Sequence, residues 1–349
     1  MKEETKIFQL AKDLYQAAFW EDYWDTDILA LQFPSRTEPV FISILGKSDG
    51  NYGFLFYRNL EELRYYFEMA KQTQIRDLET SLDFLLLQKG ISLMYENRSD
   101  LEKEDYDRIK SSGVVFRGKK AWPVLIDYKP GFYPDDVDPI EIPFVIEIME
   151  KLLKMGHDFR SKLDVYDTEE NKERVFLRTY QKNGKYKDDL FSVPLTVLQG
   201  TAVQVYEKQE IKITDFEMRR AESLKIGSSI WELELNYVAL PVENEATERP
   251  RFSVMLMVVD AKSTEIVLGE LVEFDEIERI QRLFLKALVA TNVKPPTIVV
   301  NIGRYKQISG IFGEMLSKLG IGLTPVYKLP LISVVQKDMV DFFDEIENT

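Results

Sequence analysis

The feature that most constrains this chain is one order of predicted elements that occurs twice. Three strand-like runs are followed by helix, strand, helix, strand and helix, first in residues 28–156 and again in 230–347. Such alternation is typical of sheets that are covered by helices. We therefore predict an α+β or α/β protein with two mixed-sheet domains of βββαβαβα order. A duplicated domain and two unrelated domains both remain open as its origin.

The first half shows both hydrophobic periods. Apolar residues recur at helical spacing in residues 4–19, which predicts an amphipathic helix. We predict strands at Ile28–Phe33, Val40–Leu45, Tyr52–Tyr57, Leu82–Leu87 or slightly later, and Trp122–Tyr128, with Ile91–Tyr95 as a possible partner strand. Helices are predicted from Leu60, over 100–111, and over Pro139–Met155, the last of them closed by Gly156.

The middle of the chain has a strong hairpin pattern. Arg174–Tyr180 and Tyr186–Val193 flank an Asn183-Gly184 pair, whose residues tolerate the positive φ of a tight turn. A short helix is predicted near Asp215–Ser223. We therefore expect an N-terminal domain at 1–160, a bridging β-rich segment at 161–229 and a C-terminal domain at 230–349.

The second half repeats the pattern. Phe252–Val259 is a nearly continuous apolar run, which is typical of a central strand. The remaining strands are predicted at Trp231–Leu240, Glu265–Val272, Thr297–Val300 and Leu323–Tyr327, and the helices at Asp275–Ala290, Gln307–Leu319 and Leu331–Ile346.

Composition excludes several kinds of chemistry. The chain has 59 Asp and Glu against 45 Lys and Arg, a net charge of −14, no cysteine and one histidine. Negative charge repels phosphate backbones and anionic lipids, and no local basic patch is evident. The lack of cysteine excludes disulfides and thiolate sites, and a single histidine leaves little room for a zinc site or catalytic triad. We expect no cofactor and neither a membrane nor a nucleic acid as partner.

The location predicted from these features is the cytoplasm. The first residues, Met1-Lys2-Glu3-Glu4, lack the apolar core of a signal peptide. No apolar run approaches the roughly 20 residues that span a bilayer. The absence of cysteine also suits a reducing compartment.

Three short motifs in the second half fit one fold family. Trp231 precedes the acid Glu234 by three residues, Val258–Ser263 ends a strand in a turn, and 295–304 reads PPTIVVNIGR. These motifs resemble the integrase and DDE-transposase branch of the ribonuclease H-like fold. The resemblance implies two divalent metal ions held between carboxylates. It assigns the first acid to Glu234, the second position to Asn301 and the third to Asp338 or Asp341.

The amide at Asn301 changes what this resemblance implies. Two close cations need the negative charge of a bridging carboxylate, which an amide does not supply. We therefore predict a degenerate ribonuclease H-like core without nuclease activity. The alternative is a metal-dependent nuclease or phosphotransferase that binds Mg²⁺ or Mn²⁺ in a rearranged site of Glu234, Asp260 and Asp338 or Asp341.

A second resemblance covers nearly the whole chain. Residues 41–69, Tyr128–Pro134 and Pro296–Pro330 carry it. By these segments the chain resembles an uncharacterised bacterial family of unknown function. The resemblance implies no activity.

Two features near residue 135 have competing interpretations. Asp138, Pro139 and Glu141 suit either a metal loop or the start of a helix, and the helix start accounts for every residue. Tyr128, Phe132 and Tyr133 form an aromatic loop, which is either packed at a strand exit or a contact surface for a partner. The sequence thus favours a non-catalytic protein that acts through protein–protein contacts. Enzymatic activity, oligomeric state and the partner stay undetermined.

Overall fold

The computed structural model describes residues 3–48, 50–72, 88–199, 209–242, 249–273 and 275–336. The chain divides into two compact units, Met1–Ala202 and Val203–Thr349. The segment predicted as a bridge, 161–229, does not stand apart. Its hairpin joins the first sheet and its helix belongs to the second core. The strand predicted at Leu82–Leu87 lies outside the described residues.

One sheet organises the first unit. Within its described residues, eight strands lie in the order β6-β5-β4-β3-β2-β1-β7-β8, and every neighbouring pair is antiparallel except β1 and β7. Strand β7 supplies the partner that the outer edge of β1 would otherwise lack. The strands are β1 Leu29–Gln32, β2 Val40–Leu45, β3 Gly53–Tyr57, β4 Gly90–Glu96, β5 Trp122–Tyr128, β6 Asp135–Asp136, β7 Arg174–Tyr180 and β8 Tyr186–Ser192.

Helices cover both faces of this sheet. The α-helices are α1 Glu3–Ala17, α2 Leu60–Gln72, α3 Lys103–Ser111, α4 Ile142–Phe159 and α5 Leu195–Leu198. Short 3₁₀ turns span Phe19–Glu21, Arg98–Asp100, Arg160–Asp167 and Glu169–Asn171. Successive residues of a strand point to opposite faces. Leu29 and Leu31 accordingly pack with α1 and α4, whereas Ile28 and Ala30 pack with α2 and α5.

The helix predicted at Pro139–Met155 starts and ends later than expected. Asp138 Oδ1 accepts a hydrogen bond from the backbone amide of Ile140 (2.9 Å) in a turn. The helix begins only at Ile142, so Asp138 does not cap it. Gly156 does not end the helix either. A Cβ there would lie 2.6 Å from the ring of Phe19, so this glycine allows a close approach inside the helix.

A second mixed sheet organises the second unit. Its described strands lie in the order β12-β11-β10-β14-β15, in which β12, β11 and β10 are antiparallel and β10, β14 and β15 are parallel. These strands are β10 Trp231–Val242, β11 Arg251–Asp260, β12 Ile266–Glu273, β14 Thr297–Asn301 and β15 Gly322–Val326. A small parallel pair joins β9 Lys225–Ile226 to β13 Val293–Lys294.

Helices also cover both faces of the second sheet. The helices α6 Asp215–Glu222, α7 Ile277–Thr291 and α8 Tyr305–Leu319 pack on one face. A further helix, 330–336, packs on the other face. The sequence predicted Phe252–Val259 as the middle strand. In the structure, the middle strand among the described residues is β10. Strand β11 is nevertheless interior and covered on both faces, which explains its nearly continuous apolar run over Phe252–Val259.

The two sheets share less than the repeated element order suggests. Both contain an antiparallel meander of three consecutive strands. In the first unit, β4 and β5 extend that meander beyond β3, whereas in the second unit β14 and β15 add to the opposite side as parallel strands. Both sheets also have a parallel strand beside the first strand of the meander, β7 beside β1 and β14 beside β10. Internal duplication stays a prediction. No helix among the described residues has the length and apolar character needed to cross a membrane.

Candidate functional site

Strand β10 carries the acidic residues that the sequence singled out. Trp231, Leu233 and Leu235 point into the core formed with α7 and α8. Glu232 and Glu234 alternate with them and therefore point to the opposite face, which helix 330–336 covers. Their exposed fractions are 4% and 5%. The strand thus buries two carboxylates under one short helix.

Both carboxylates bind that helix directly. Glu232 Oε2 accepts hydrogen bonds from the backbone amides of Leu331 (3.1 Å) and Ile332 (3.0 Å). These amides belong to the first turn, where a helix has no internal acceptor and where the dipole favours negative charge. Glu234 Oε2 accepts a bond from Gln336 Nε2 (3.0 Å). The acids therefore have a structural role that the sequence did not reveal.

Asp260 lies on the other face of the sheet. It pairs in register with Trp231 and accepts a bond from the indole Nε1 (3.0 Å), whereas Glu234 pairs with Met257. Because directly paired residues share a face and successive residues alternate, Asp260 and Glu234 point in opposite directions. The structure does not bring these two predicted metal ligands together.

The surroundings of Asp260 are those of a turn anchor. Its Oδ1 accepts bonds from Ser229 Oγ (2.6 Å) and from the amides of Lys262 (2.8 Å) and Ser263 (3.0 Å). Partial burial acts to raise the pKa of Asp260, but these bonds and the indole bond outweigh it and lower the pKa below its ordinary value. Asp260 therefore stays ionised and fixes the turn between β11 and β12.

Asn301 lies on the same face as Glu234. Strand β14 pairs with β10 at Glu232 and Val299, and each of the two residues follows its paired position by two. Asn301 Oδ1 accepts a hydrogen bond from the backbone amide of Gly303 (2.8 Å), so the side chain of Asn301 shapes the turn into α8. No group of three acidic or histidine side chains among the described residues is placed to hold a metal ion. Asp338 and Asp341 lie outside the described residues.

We expect replacement of Glu232 by alanine to loosen helix 330–336. The change leaves the amides of Leu331 and Ile332 without their acceptor, which costs about 1–3 kcal/mol for buried polar groups. Hydrogen exchange at these two amides measures the expected loss of protection. The exposed Glu270 of β12 provides a matched control, because E270A is expected to change stability by about 0.5 kcal/mol or less. Unchanged protection in E232A would contradict the anchoring role.

A cavity with an apolar lining lies in the first unit. Its volume is about 460 Å³. The walls come from α1, α3, α4, strands β4 and β5, and the segment that follows β6. The apolar lining includes Ile7, Phe8, Ala11, Leu93, Leu125 and Ile142. This volume falls within the range of about 300–1,000 Å³ that is typical of binding pockets.

Acidic side chains surround this apolar interior. Glu3, Glu4, Asp105 and Asp136 line the cavity together with one cation, Arg108. Arg108 contacts Asp136 and lies 3.9 Å from Glu4 Oε1. Four carboxylates against one guanidinium leave a net charge of −3. We refer to this feature, defined by these five residues and the apolar lining, as the acid-rimmed cavity.

Asp105 is the most buried of the four rim carboxylates. It is half-buried, and no described residue donates a hydrogen bond to it or forms an ion pair with it. Burial raises its pKa, and the negative charge of Asp136 adds to this effect although Arg108 opposes it. The first turn of a helix normally has the opposite influence on an acid. Asp105 is thus held as a costly charge at the edge of an apolar space.

A buried ionic cluster lies next to the cavity. Arg58 binds Asp127 (2.5 Å), Glu141 (2.6 Å) and Glu62 (3.2 Å). Asp127 is two residues beyond Leu125 on the same face of β5, and its side chain is fully buried. Burial raises the pKa of Glu62, and Arg58 opposes the shift. This cluster fixes the end of β5 against the starts of α2 and α4, and so positions one wall of the cavity.

Two other surface features concern basic and aromatic residues of the first unit. Arg98, Lys119 and Lys120 line a shallow depression, so a local basic patch exists that the sequence analysis missed. Two of its cations are engaged within the protein, because Lys120 Nζ donates to the carbonyl of Gly50 (2.7 Å) and Arg98 to Tyr106 Oη (3.0 Å). The residues of the predicted aromatic contact loop, Tyr128, Phe132 and Tyr133, are all half-buried, and none lines the acid-rimmed cavity.

Sequence reasoning could not find the acid-rimmed cavity. Its lining comes from segments between Glu3 and Met149 that no local pattern connects. The acidic start of α1 is visible in the sequence, but acids are common in first helical turns and indicate no ligand.

Comparisons with known domain families match each unit separately. Residues 5–178 match a family described as Domain of unknown function (DUF7309). Residues 217–340 match another, Domain of unknown function (DUF6930). Neither family has a described function. The predicted resemblance to an uncharacterised family is confirmed to this extent. A bacterial origin stays a prediction.

Comparison with individual proteins adds little. None of the curated proteins matches the chain. Among solved structures, the catalytic core domain of HTLV-2 integrase, in complex with magnesium in a trimeric form, matches at 16% identity with a TM-score of 0.26. The match covers 35% of this chain and 72% of that one. At this level it indicates neither fold nor activity, and the ribonuclease H-like fold stays a prediction.

Proposed function

We propose that this chain is a non-catalytic binding protein whose first unit takes side chains of a partner protein into the acid-rimmed cavity. The observation that supports this proposal is the cavity itself, about 460 Å³ in volume, with an apolar interior formed by three helices and the sheet. An apolar space of this size favours ligand groups that leave water. It is too small for a folded domain, so the partner contributes a short segment.

The arrangement of acids in the second unit supports the absence of catalysis. Glu232 and Glu234 bind helix 330–336, Asp260 fixes a turn on the opposite face, and the second metal position holds the amide of Asn301. Two-metal chemistry needs carboxylates that converge on one point. The described donors do not fit a metal pair.

We propose for the second unit a ribonuclease H-like core that has kept its architecture without its chemistry. Its mixed sheet, with the acid-bearing strand in the middle and helices on both faces, supports this proposal. The competing function is a metal-dependent nuclease or phosphotransferase. Calorimetric titration of the purified chain with Mn²⁺ separates the two, because the proposal predicts no heat of binding and no metal-dependent cleavage of DNA or RNA.

The proposed binding function is tested by filling the cavity. Ala11 lines it from α1, and Ala11→Leu adds three carbon atoms where space exists. We expect proteins captured by the immobilised wild-type chain to be lost from A11L. Gln16→Leu is the matched control, since it adds a leucine to the exposed side of the same helix. Equal capture by wild type and A11L, with both variants folded by circular dichroism, would contradict the proposal.

A further inference from the structure

We infer that the occupant of the acid-rimmed cavity is a segment of a partner protein that carries apolar side chains next to lysine or arginine. This inference rests on the function proposed above and adds the chemistry of the partner. Its first support is charge. The rim combines Glu3, Glu4, Asp105 and Asp136 with Arg108 around an apolar interior, so a cation on an apolar body complements both parts.

The second support is the state of Asp105. A half-buried carboxylate without an ion-pair partner among the described residues is unfavourable, and Asp136 makes it more so. A lysine or arginine at the mouth of the cavity would supply the missing counter-charge. A neutral segment would leave this cost in place, and an acidic segment would increase it.

The third support is the position of Arg108. Its guanidinium contacts Asp136 and lies near Glu4, so it bridges acids from two separate elements. The protein's own arginine thus shows that this rim can hold a guanidinium. It balances only one of the four carboxylates, which leaves room for at least one further cation from a partner.

The test uses two synthetic peptides with identical leucines in an amphipathic helical pattern. One peptide carries lysine at the polar positions that flank the leucines, and the other carries glutamate there. Binding to the full chain is measured by fluorescence anisotropy. We expect the lysine peptide to bind, the glutamate peptide not to bind, and the affinity to fall as salt rises from about 0.05 to 0.5 M, because mobile ions screen the rim.

Matched variants separate the effect of the rim carboxylates on peptide binding from the effect of the net charge of −14. Asp105→Lys reverses the charge at the cavity mouth, whereas Asp107→Lys makes the same change at an exposed position of α3 outside the lining. We expect D105K to weaken binding of the lysine peptide about tenfold or more, and D107K by about twofold or less. Equal weakening by both would overturn the inference, because the peptide would then respond only to overall charge.

The dependence on pH gives a second readout. The lysine of the peptide stays charged, while Asp105 becomes an anion only as the pH rises through its raised pKa. Affinity is therefore expected to increase with pH across that range, with Glu102, Glu104, Arg108 and Asp136 as the neighbouring charges. Asp105→Asn should remove the part of this pH dependence that comes from the ionisation of Asp105. An identical profile in wild type and D105N would contradict its role.

The remaining outcomes distinguish this inference from the proposed function. If both peptides bind equally well and A11L abolishes both, the cavity binds apolar segments and only the charge preference is wrong. If neither peptide binds while A11L still loses captured proteins, the function stands and the partner chemistry is wrong. If dodecyltrimethylammonium binds to the chain and neither peptide binds, the ligand is a small cationic amphiphile, which overturns the inference. If no probe binds and A11L captures the same proteins as the wild type, both the inference and the proposed function are wrong.

Discussion

Replacement of Arg58 by alanine is expected to lower the free energy of unfolding of the first unit by about 3–5 kcal/mol. Arg58 is the common partner of Glu62, Asp127 and Glu141. The side chain of Asp127 is fully buried and that of Glu62 is 12% exposed, so neither can recover its hydration when the guanidinium is removed. Lys129 Nζ lies 3.3 Å from Asp127 Oδ2, but this lysine is itself 44% exposed.

The loss should depend on pH in a defined direction. Burial already raises the pKa of Glu62, and removal of Arg58 takes away the main opposing charge. A carboxyl whose pKa is higher in the folded state than in the unfolded state destabilises the fold as the pH rises through that pKa. The difference between wild type and R58A is therefore expected to be small in acid and to reach its full size near neutral pH.

Denaturant titration at several pH values measures this effect, and hydrogen exchange assigns the lost protection to the first unit. Arg117 provides the matched control because its side chain is exposed and R117A should change stability by about 0.5 kcal/mol or less. A loss of the same size in both variants would show that the cluster contributes no more than an exposed arginine.

The second large effect is expected at Trp231. Its side chain is fully buried in the middle strand of the second sheet, against the ring of Phe284 at a centroid distance of 6.4 Å. Trp231→Ala should cost about 3–5 kcal/mol, since it opens a cavity in the core and removes the indole bond to Asp260. Trp231→Phe keeps most of the packing and loses the hydrogen bond, which is worth about 1 kcal/mol.

Comparison of single and double variants isolates that hydrogen bond. If the indole bond is what couples the two residues, W231F and D260A together should cost less than the sum of their separate effects. Trp24→Ala is the control for removing an indole elsewhere. Trp24 is 49% exposed, so we expect a loss of about 1 kcal/mol or less. Strict additivity of W231F and D260A would exclude the coupling.

The sequence predicted the local elements where the period was clear. The helix predicted at Asp275–Ala290 is observed at Ile277–Thr291, and the hairpin around Asn183-Gly184 forms as expected. Hydrophobic period and turn chemistry are local properties, so one segment contains the information that specifies them. Even the acids of β10 are visible as an alternation with Trp231, Leu233 and Leu235.

The tertiary structure alone decided what those residues face. Glu234 and Asp260 look equivalent in the sequence, but the pairing of β10 with β11 places them on opposite faces of the sheet. The acid-rimmed cavity likewise depends on how separated segments of the first unit meet. Pairing and packing between distant segments are set by the burial of the whole core, and no single stretch of chain encodes that sum. The sequence therefore specified the elements and the excluded chemistries, while long-range packing placed the site.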